Sequence, residues 1–244
     1  MKNQTASAKI REDLEKRWYA TWDYSVYDEK DYLDELLFCW DVYSRKYLNN
    51  LCVNKTADIK VITDRVGEIK SVLDLGCGIG LTTARLKQLF PNAEVYGTNL
   101  ESTIQYRIAK ELGKLLGFSI VEKPPARAID LIFASEYFEH IESPVEHLME
   151  ILVACQPKFL VIANAFNAMA TGHFYRYRMI HGEHLDGIAT SRIFNDTLRQ
   201  NGYRKVKTQL WNNRPSYWAK DPSFPSTDSA KRLKRVKDHQ KPLF

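Results

Sequence analysis

The segment Val72-Leu73-Asp74-Leu75-Gly76-Cys77-Gly78-Ile79-Gly80 constrains the fold of this chain more than any other stretch. An apolar run interrupted only by Asp74 stops at Leu75, glycines follow at alternate positions 76, 78 and 80, and an amphipathic run begins at Leu81. A short apolar run followed by a helical period reads as a strand leading into a helix. Glycines at the junction let the backbone turn tightly and let a ligand approach the main chain with no Cβ in the way. The spacing is GxGxG with an acid two residues ahead. It is not the GxGxxG of a dinucleotide fingerprint, because position 81 is Leu.

Around this junction, apolar runs alternate with amphipathic ones, the pattern of βαβ units and a parallel sheet. The strands expected are Val72–Leu75, Glu94–Thr98, Phe118–Val121, Ile129–Ala134 and Phe159–Ala163, with helices over Leu81–Phe90, Ser102–Leu116 and Ser191–Asn201. Gly117 and Gly202 sit where helix C-caps are expected. Tyr203–Trp211 and Ser216–Trp218 flank Asn212-Asn213-Arg214-Pro215, a hairpin-turn composition. Ahead of the sheet, Arg11–Thr21, Asp31–Leu51 and Ala57–Ile69 carry apolar residues at helical spacing, including Trp18 and Trp40. Three parts result: a helical extension over 1–69 that is a candidate lid, an α/β domain over 70–219, and a flexible basic tail over 220–244.

Charge separates the tail from the body. The chain of 244 residues has a net charge of +5, and Lys231 to Phe244 holds six basic residues against one acid, so that segment alone is +5. The remaining 230 residues balance at 29 basic and 29 acidic, which excludes a uniformly basic, DNA-coating body. Cys39, Cys52, Cys77 and Cys155 form no CxxC pair and no finger spacing, so a reducing cytoplasm is expected. No apolar run approaches the roughly 20 residues of a membrane span, and the first residues lack a secretory signal.

Taken in order, these segments resemble the class I S-adenosylmethionine-dependent methyltransferases over about Ser71–Trp218. Asp74-Leu75-Gly76-Cys77-Gly78-Ile79-Gly80 is similar to the family's first motif, and Asp130 to His140 resembles the fourth-strand motif of its small-molecule branch. The resemblance implies a doubly wound, mostly parallel seven-stranded sheet with an antiparallel final strand, behind an N-terminal helical region. It implies S-adenosyl-L-methionine as cofactor, held by Asp74, Gly76, Cys77, Gly78 and Gly80, by Asn99 and Leu100 after the second strand, by Glu122 after the third, and by Ser135 and Glu136 after the fourth. Asn99 stands where the family usually places an acid on the ribose hydroxyls. An amide still donates and accepts hydrogen bonds, but it lacks the charge. Glu101 is a candidate substitute, and turn capping is the other role open to Asn99.

The acceptor is narrowed by absence. Ala134-Ser135-Glu136-Tyr137 replaces the Pro-Pro-aromatic signature of enzymes that methylate exocyclic amines of DNA bases, and no Pro-Cys nucleophile follows the fourth strand. An O or N nucleophile on a small molecule, nucleotide or nucleic acid remains, with no membrane partner. Glu139 and His140 are the catalytic candidates. The spacing Glu136-x-x-Glu139-His140 resembles the metal cluster of small-RNA 3′-end 2′-O-methyltransferases and the Glu-His pair of quinone-biosynthesis O-methyltransferases. A metal-assisted RNA 2′-O-methyltransferase is thus one alternative, with His181 or His184 as an added ligand, and a methyltransferase-like binding module without turnover is another. The favoured reading assigns no metal: the glutamates cap a helix or touch cofactor, and His140 packs in the core. The stretch 164–190 is expected to face substrate. His173, Tyr175, Arg176 and His184 are its contacts, from a run that interleaves aromatic and basic groups.

Overall fold

The structure is a computed structural model of the chain, and it describes residues 6–23, 69–206 and 215–220. The helices expected over Asp31–Leu51 and Ala57–Ile69, most of the hairpin turn and the basic tail lie outside the described residues.

Helix α1 (Ala6–Thr21) precedes strand β1 (Ser71–Leu75), helix α2 (Leu81–Leu89), β2 (Glu94–Thr98), α3 (Ile104–Leu116) and β3 (Ser119–Val121). Then come β4 (Leu131–Ser135), a 3₁₀ turn (Phe138–His140), α4 (Pro144–Cys155), β5 (Phe159–Ala163), β6 (Arg176–Arg178), β7 (His184–Asp186), α5 (Gly187–Gln200), β8 (Tyr203–Val206) and β9 (Ser216–Lys220). Seven strands form one sheet in the order β3-β2-β1-β4-β5-β9-β8, while β6 and β7 form a separate ribbon. β1 pairs in parallel with β2 and β4, and β4 with β5. β9 is antiparallel to both of its neighbours, β5 and β8. This is the doubly wound sheet expected, with the last of the described strands reversed.

Every residue of β1 and β5 is buried, as required of strands covered on both faces. Side chains alternate between two cores. Leu73, Leu75, Ile132, Leu160 and Ile162 pack with residues of α4 and α5 on one face. Val72, Leu131, Phe133, Phe159 and Val161 pack with residues of α2 on the other. α4 fills the gap that the expected strands leave between β4 and β5. Its signals are Pro144 at the first helical position and a buried stripe of Val145, Leu148, Met149 and Leu152.

Strand order reverses outward from β1 and β4, and in open α/β sheets ligands bind beyond the carboxyl ends of the strands at such a switch point. The loops after Leu75, Thr98, Ser135 and Ala163 share that edge.

Candidate functional site

The glycine loop after β1 is fixed by hydrogen bonds to the end of β2. The Gly76 amide donates to Thr98 Oγ1 at 3.1 Å, and the Cys77 amide donates to the Thr98 carbonyl at 2.9 Å. Asn99 closes the same seam: its Nδ2 donates to the Gly78 carbonyl at 2.9 Å, and its Oδ1 accepts from the Leu100 amide at 2.8 Å. Gly76, Gly78 and Gly80 have φ of 66°, 55° and 87°, in the region that side chains with a Cβ rarely adopt. A Cβ built at Gly78 meets nothing within 4 Å, so this stretch of bare backbone borders open space. A Cβ at Gly76 would instead run into the Tyr137 ring, and one at Gly97 into Cys77 at 2.9 Å.

Asp74 is 2% exposed and accepts from the Thr83 hydroxyl at 2.6 Å, which ties β1 to the first turn of α2. Burial lifts its carboxyl to about 7 despite that bond. Its contacts make it a brace of the loop. Burial likewise pushes the Cys77 thiol far up. Leu100 and Glu122 are exposed at the ends of β2 and β3, and Ser135 is half-buried at the end of β4.

The loop after β4 is held against β5. The Glu136 amide donates to the Ala163 carbonyl at 2.8 Å, and Glu136 takes φ 51°, rare for a residue with a side chain. Glu139 is fully buried in the 3₁₀ turn. Its Oε1 accepts from the Ala165 amide at 2.7 Å, and its carboxyl also lies within hydrogen-bonding reach of the Glu136 carboxyl. Burial first, and the adjacent Glu136 charge second, push the Glu139 carboxyl well above the usual range. His140 stacks edge-on against His173, with ring centroids 4.7 Å apart. Burial and His173 hold its imidazole well below the ordinary value, so it is neutral near pH 7. His173 Nδ1 lies 2.8 Å from the Ala168 carbonyl.

The structure therefore gathers Glu136, Glu139, His140 and His173 at the β4–β5 edge, beside the glycine loop on β1. It separates the other residues expected to touch substrate. Tyr175 stacks on Tyr19 of α1, with centroids 5.0 Å apart. Arg176 and His184 are exposed on β6 and β7, whose Tyr177 points into the core: one buried and one solvated face. His181 is exposed in the turn between those strands. α1 packs on the segment ahead of β6: Trp18 Nε1 donates to the His173 carbonyl at 2.9 Å, and the Tyr19 hydroxyl donates to that of Ala170 at 3.1 Å.

Two residues of this edge escaped sequence reasoning. Thr98 has no motif of its own beyond closing β2. Tyr137 lies over Gly76 and shares a 2.8 Å hydrogen bond with His147. An aromatic two residues past β4 is its only signal in the sequence. Among the described residues, no helix is long and apolar enough to cross a membrane.

A family model described as a methyltransferase domain matches residues 27–208, about three quarters of the chain. Malonyl-[acyl-carrier protein] O-methyltransferase of Halalkalibacterium halodurans is 24% identical over 112 residues, which cover 42% of this chain and 41% of that protein. The chain thus matches less than half the length of this relative. Among solved structures, magnesium protoporphyrin IX methyltransferase from Synechocystis PCC 6803 with bound SAM aligns over 91% of this chain and 100% of its own, at 12% identity and a TM-score of 0.48. A SAM-dependent methyltransferase from Aquifex aeolicus aligns over 66% and 86%, at 16% identity and a TM-score of 0.45.

Proposed function

The chain belongs to the class I S-adenosylmethionine-dependent methyltransferases, and from that premise we propose that it moves the methyl group to an O or N nucleophile of an acceptor brought to the β4–β5 edge. The observation that carries this reading is the glycine loop. Its main chain borders open space at Gly78 while hydrogen bonds to Thr98 and Asn99 keep it from collapsing. Those features fit S-adenosylmethionine, the cofactor of this family. Gly76, Cys77, Gly78 and Gly80 are its proposed cradle, braced by Asp74, with Asn99, Leu100, Glu122, Ser135 and Glu136 as flanking contacts. Asn99 Oδ1 keeps a second lone pair for a ribose hydroxyl, and Gly78 receives the amide hydrogen that a carboxylate lacks.

When bound, the cofactor supplies an electrophilic methyl on a sulfonium whose leaving group is a neutral thioether. The chain's work is placement. Holding a nucleophile in line contributes up to roughly 7–11 kcal/mol in the best-oriented systems. For a hydroxyl nucleophile, the chain must also receive a proton. His140 is neutral near pH 7 and has a lone pair that can accept a hydrogen bond from that hydroxyl, while its burial disfavours holding the proton as a cation, so its proposed part is orienting the nucleophile. Glu139, one residue earlier, is the second proposed catalytic group. His173, beside these groups, is the proposed acceptor contact at the edge itself; Tyr175, Arg176 and His184 lie apart from it and are proposed as contacts only for an acceptor that reaches the β6–β7 ribbon.

The test is transfer of tritiated methyl from S-adenosylmethionine to separated metabolite, nucleic-acid and protein pools, alongside calorimetry with the cofactor. The reading expects binding and one labelled pool. Failure to bind at millimolar cofactor sinks it, and binding without label in any pool favours a module without turnover.

A further inference from the structure

We propose that Glu136, Glu139 and His173 form a divalent-cation site at the carboxyl edge of β4 and β5. One ligand atom from each lies within 4.8 Å of the others. Donors about 2.1 Å from a cation sit at most about 4.2 Å apart, so closure onto an ion asks for movements of about half an ångström.

Two of the three side chains are held so that one donor atom is left over. Glu139 is fully buried; its Oε1 is used by the Ala165 amide, and its carboxyl meets that of Glu136 with no basic group in the cluster other than His173. Two buried carboxyls in contact repel unless a proton or a cation lies between them. A divalent cation is one way to hold the pair together. His173 Nδ1 faces the Ala168 carbonyl, which can only accept, so Nδ1 carries the proton and Nε2 carries the lone pair. A ring nitrogen tied to a backbone carbonyl, with the other nitrogen presented, is how metal-binding histidines are oriented. Both anchors, Ala165 and Ala168, lie in the segment after β5, so one loop sets the direction of both donors.

Two carboxylates and one imidazole make a mixed oxygen and nitrogen set. That set suits Mn²⁺, Fe²⁺ or Zn²⁺ better than an all-oxygen ion such as Ca²⁺. Three protein ligands leave coordination positions open, and an acceptor hydroxyl is the donor chemistry that fits them. This role rests on the methyltransferase reading, whereas the cation site stands on the side chains alone. The ligand that completes the set is His173, 33 residues beyond His140 and neither of the two histidines on the β6–β7 ribbon. His140 packs against it edge-on.

The full chain, stripped with chelator, is titrated with MnCl₂ by calorimetry and by loss of the free-Mn²⁺ paramagnetic signal. One Mn²⁺ per chain is expected. Glu139→Gln and His173→Gln should each weaken binding at least tenfold while S-adenosylmethionine affinity stays within about twofold. Circular dichroism checks that each variant folds. If Glu139→Gln does not fold, His173→Gln alone decides. No binding at millimolar Mn²⁺, or wild-type affinity in a folded His173→Gln, overturns the proposal. Mn²⁺ binding without cofactor binding would leave the cation site standing and remove the methyltransferase reading. Cofactor binding without Mn²⁺ would do the reverse.

Discussion

The indole N–H of Trp18 donates to the carbonyl of His173 across 155 residues of chain, and Trp18 is fully buried. The bond fixes α1 onto the same residue whose ring faces Glu136 and Glu139. Anything that loosens α1 therefore acts on the site through the main chain of His173.

Trp18→Phe keeps the ring and removes the bond. We expect a loss of about 1 kcal/mol in stability, since an unpaired buried carbonyl is left behind. Trp18→Ala also removes the packing, at about 3–5 kcal/mol. Denaturant melts measure both. Hydrogen exchange over 168–175 should rise in Trp18→Phe, and an unchanged exchange rate there would detach α1 from the site.

Gly78 and Gly97 predict opposite phenotypes. Gly78→Ala fits sterically, at the cost of a strained φ of about 1–2 kcal/mol, and places a methyl where the cradle is open. It should remain folded and bind S-adenosylmethionine at least tenfold more weakly in calorimetry. Gly97→Ala drives a methyl into Cys77 and Ile120, so it should lose about 1–3 kcal/mol before binding is considered. Normal cofactor affinity in Gly78→Ala would remove the glycine loop from the site.

Asn99→Asp restores the acid that the family usually carries, yet it is expected to weaken cofactor binding. The carboxylate has no hydrogen for the Gly78 carbonyl and sets oxygen against oxygen at 2.9 Å. Loss of a bond of about 0.5–1.5 kcal/mol corresponds to roughly a twofold to twelvefold drop in affinity. Tighter binding in Asn99→Asp would show that the ribose contact outweighs the loop.

Asp74 gives the chain an acid-side preference. Its folded pKa of about 7 lies above the unfolded value of about 4, so the folded state keeps a proton that the unfolded state releases between these limits. The associated stability is full below about pH 4 and is lost as pH rises through 7. The melting temperature of the cofactor-free chain should therefore fall between pH 5 and pH 8. Asp74→Asn should flatten that slope. Glu139, raised by the same burial, leaves a residual slope of the same sign.

The sheet was legible because its signals are local. β1, β2 and β5 end where their apolar runs end, and Gly117 takes the left-handed φ of 78° expected of a C-cap. The segment after β5 was legible only in part. Only Arg176–Arg178 alternates between exposed and buried, as a strand does, while Phe174 packs on the core and Tyr175 is exposed; which residues reach one another is decided by tertiary contacts. His173 turns to the glutamates, Tyr175 to α1, and Arg176 to solvent. No spacing rule relates residue 173 to residues 136 and 139, since their approach depends on where β5 and its loop carry the chain. The interleaved run, expected to face substrate as one set, therefore divides among three surroundings.

The reversed strand β9 has a consequence for how the molecule is made. It comes after every other described strand in the chain, yet it sits between β5 and β8. During synthesis, β5 therefore waits with one edge unpaired while about fifty residues are added, and β8 has no partner in the sheet at all. The parallel half, β3-β2-β1-β4-β5, is complete long before. A nascent chain that has reached Val206 can thus hold the glycine loop in place with an open edge on β5, a surface on which another copy of the chain can pair. Five residues, Ser216–Lys220, close that edge on both sides at once.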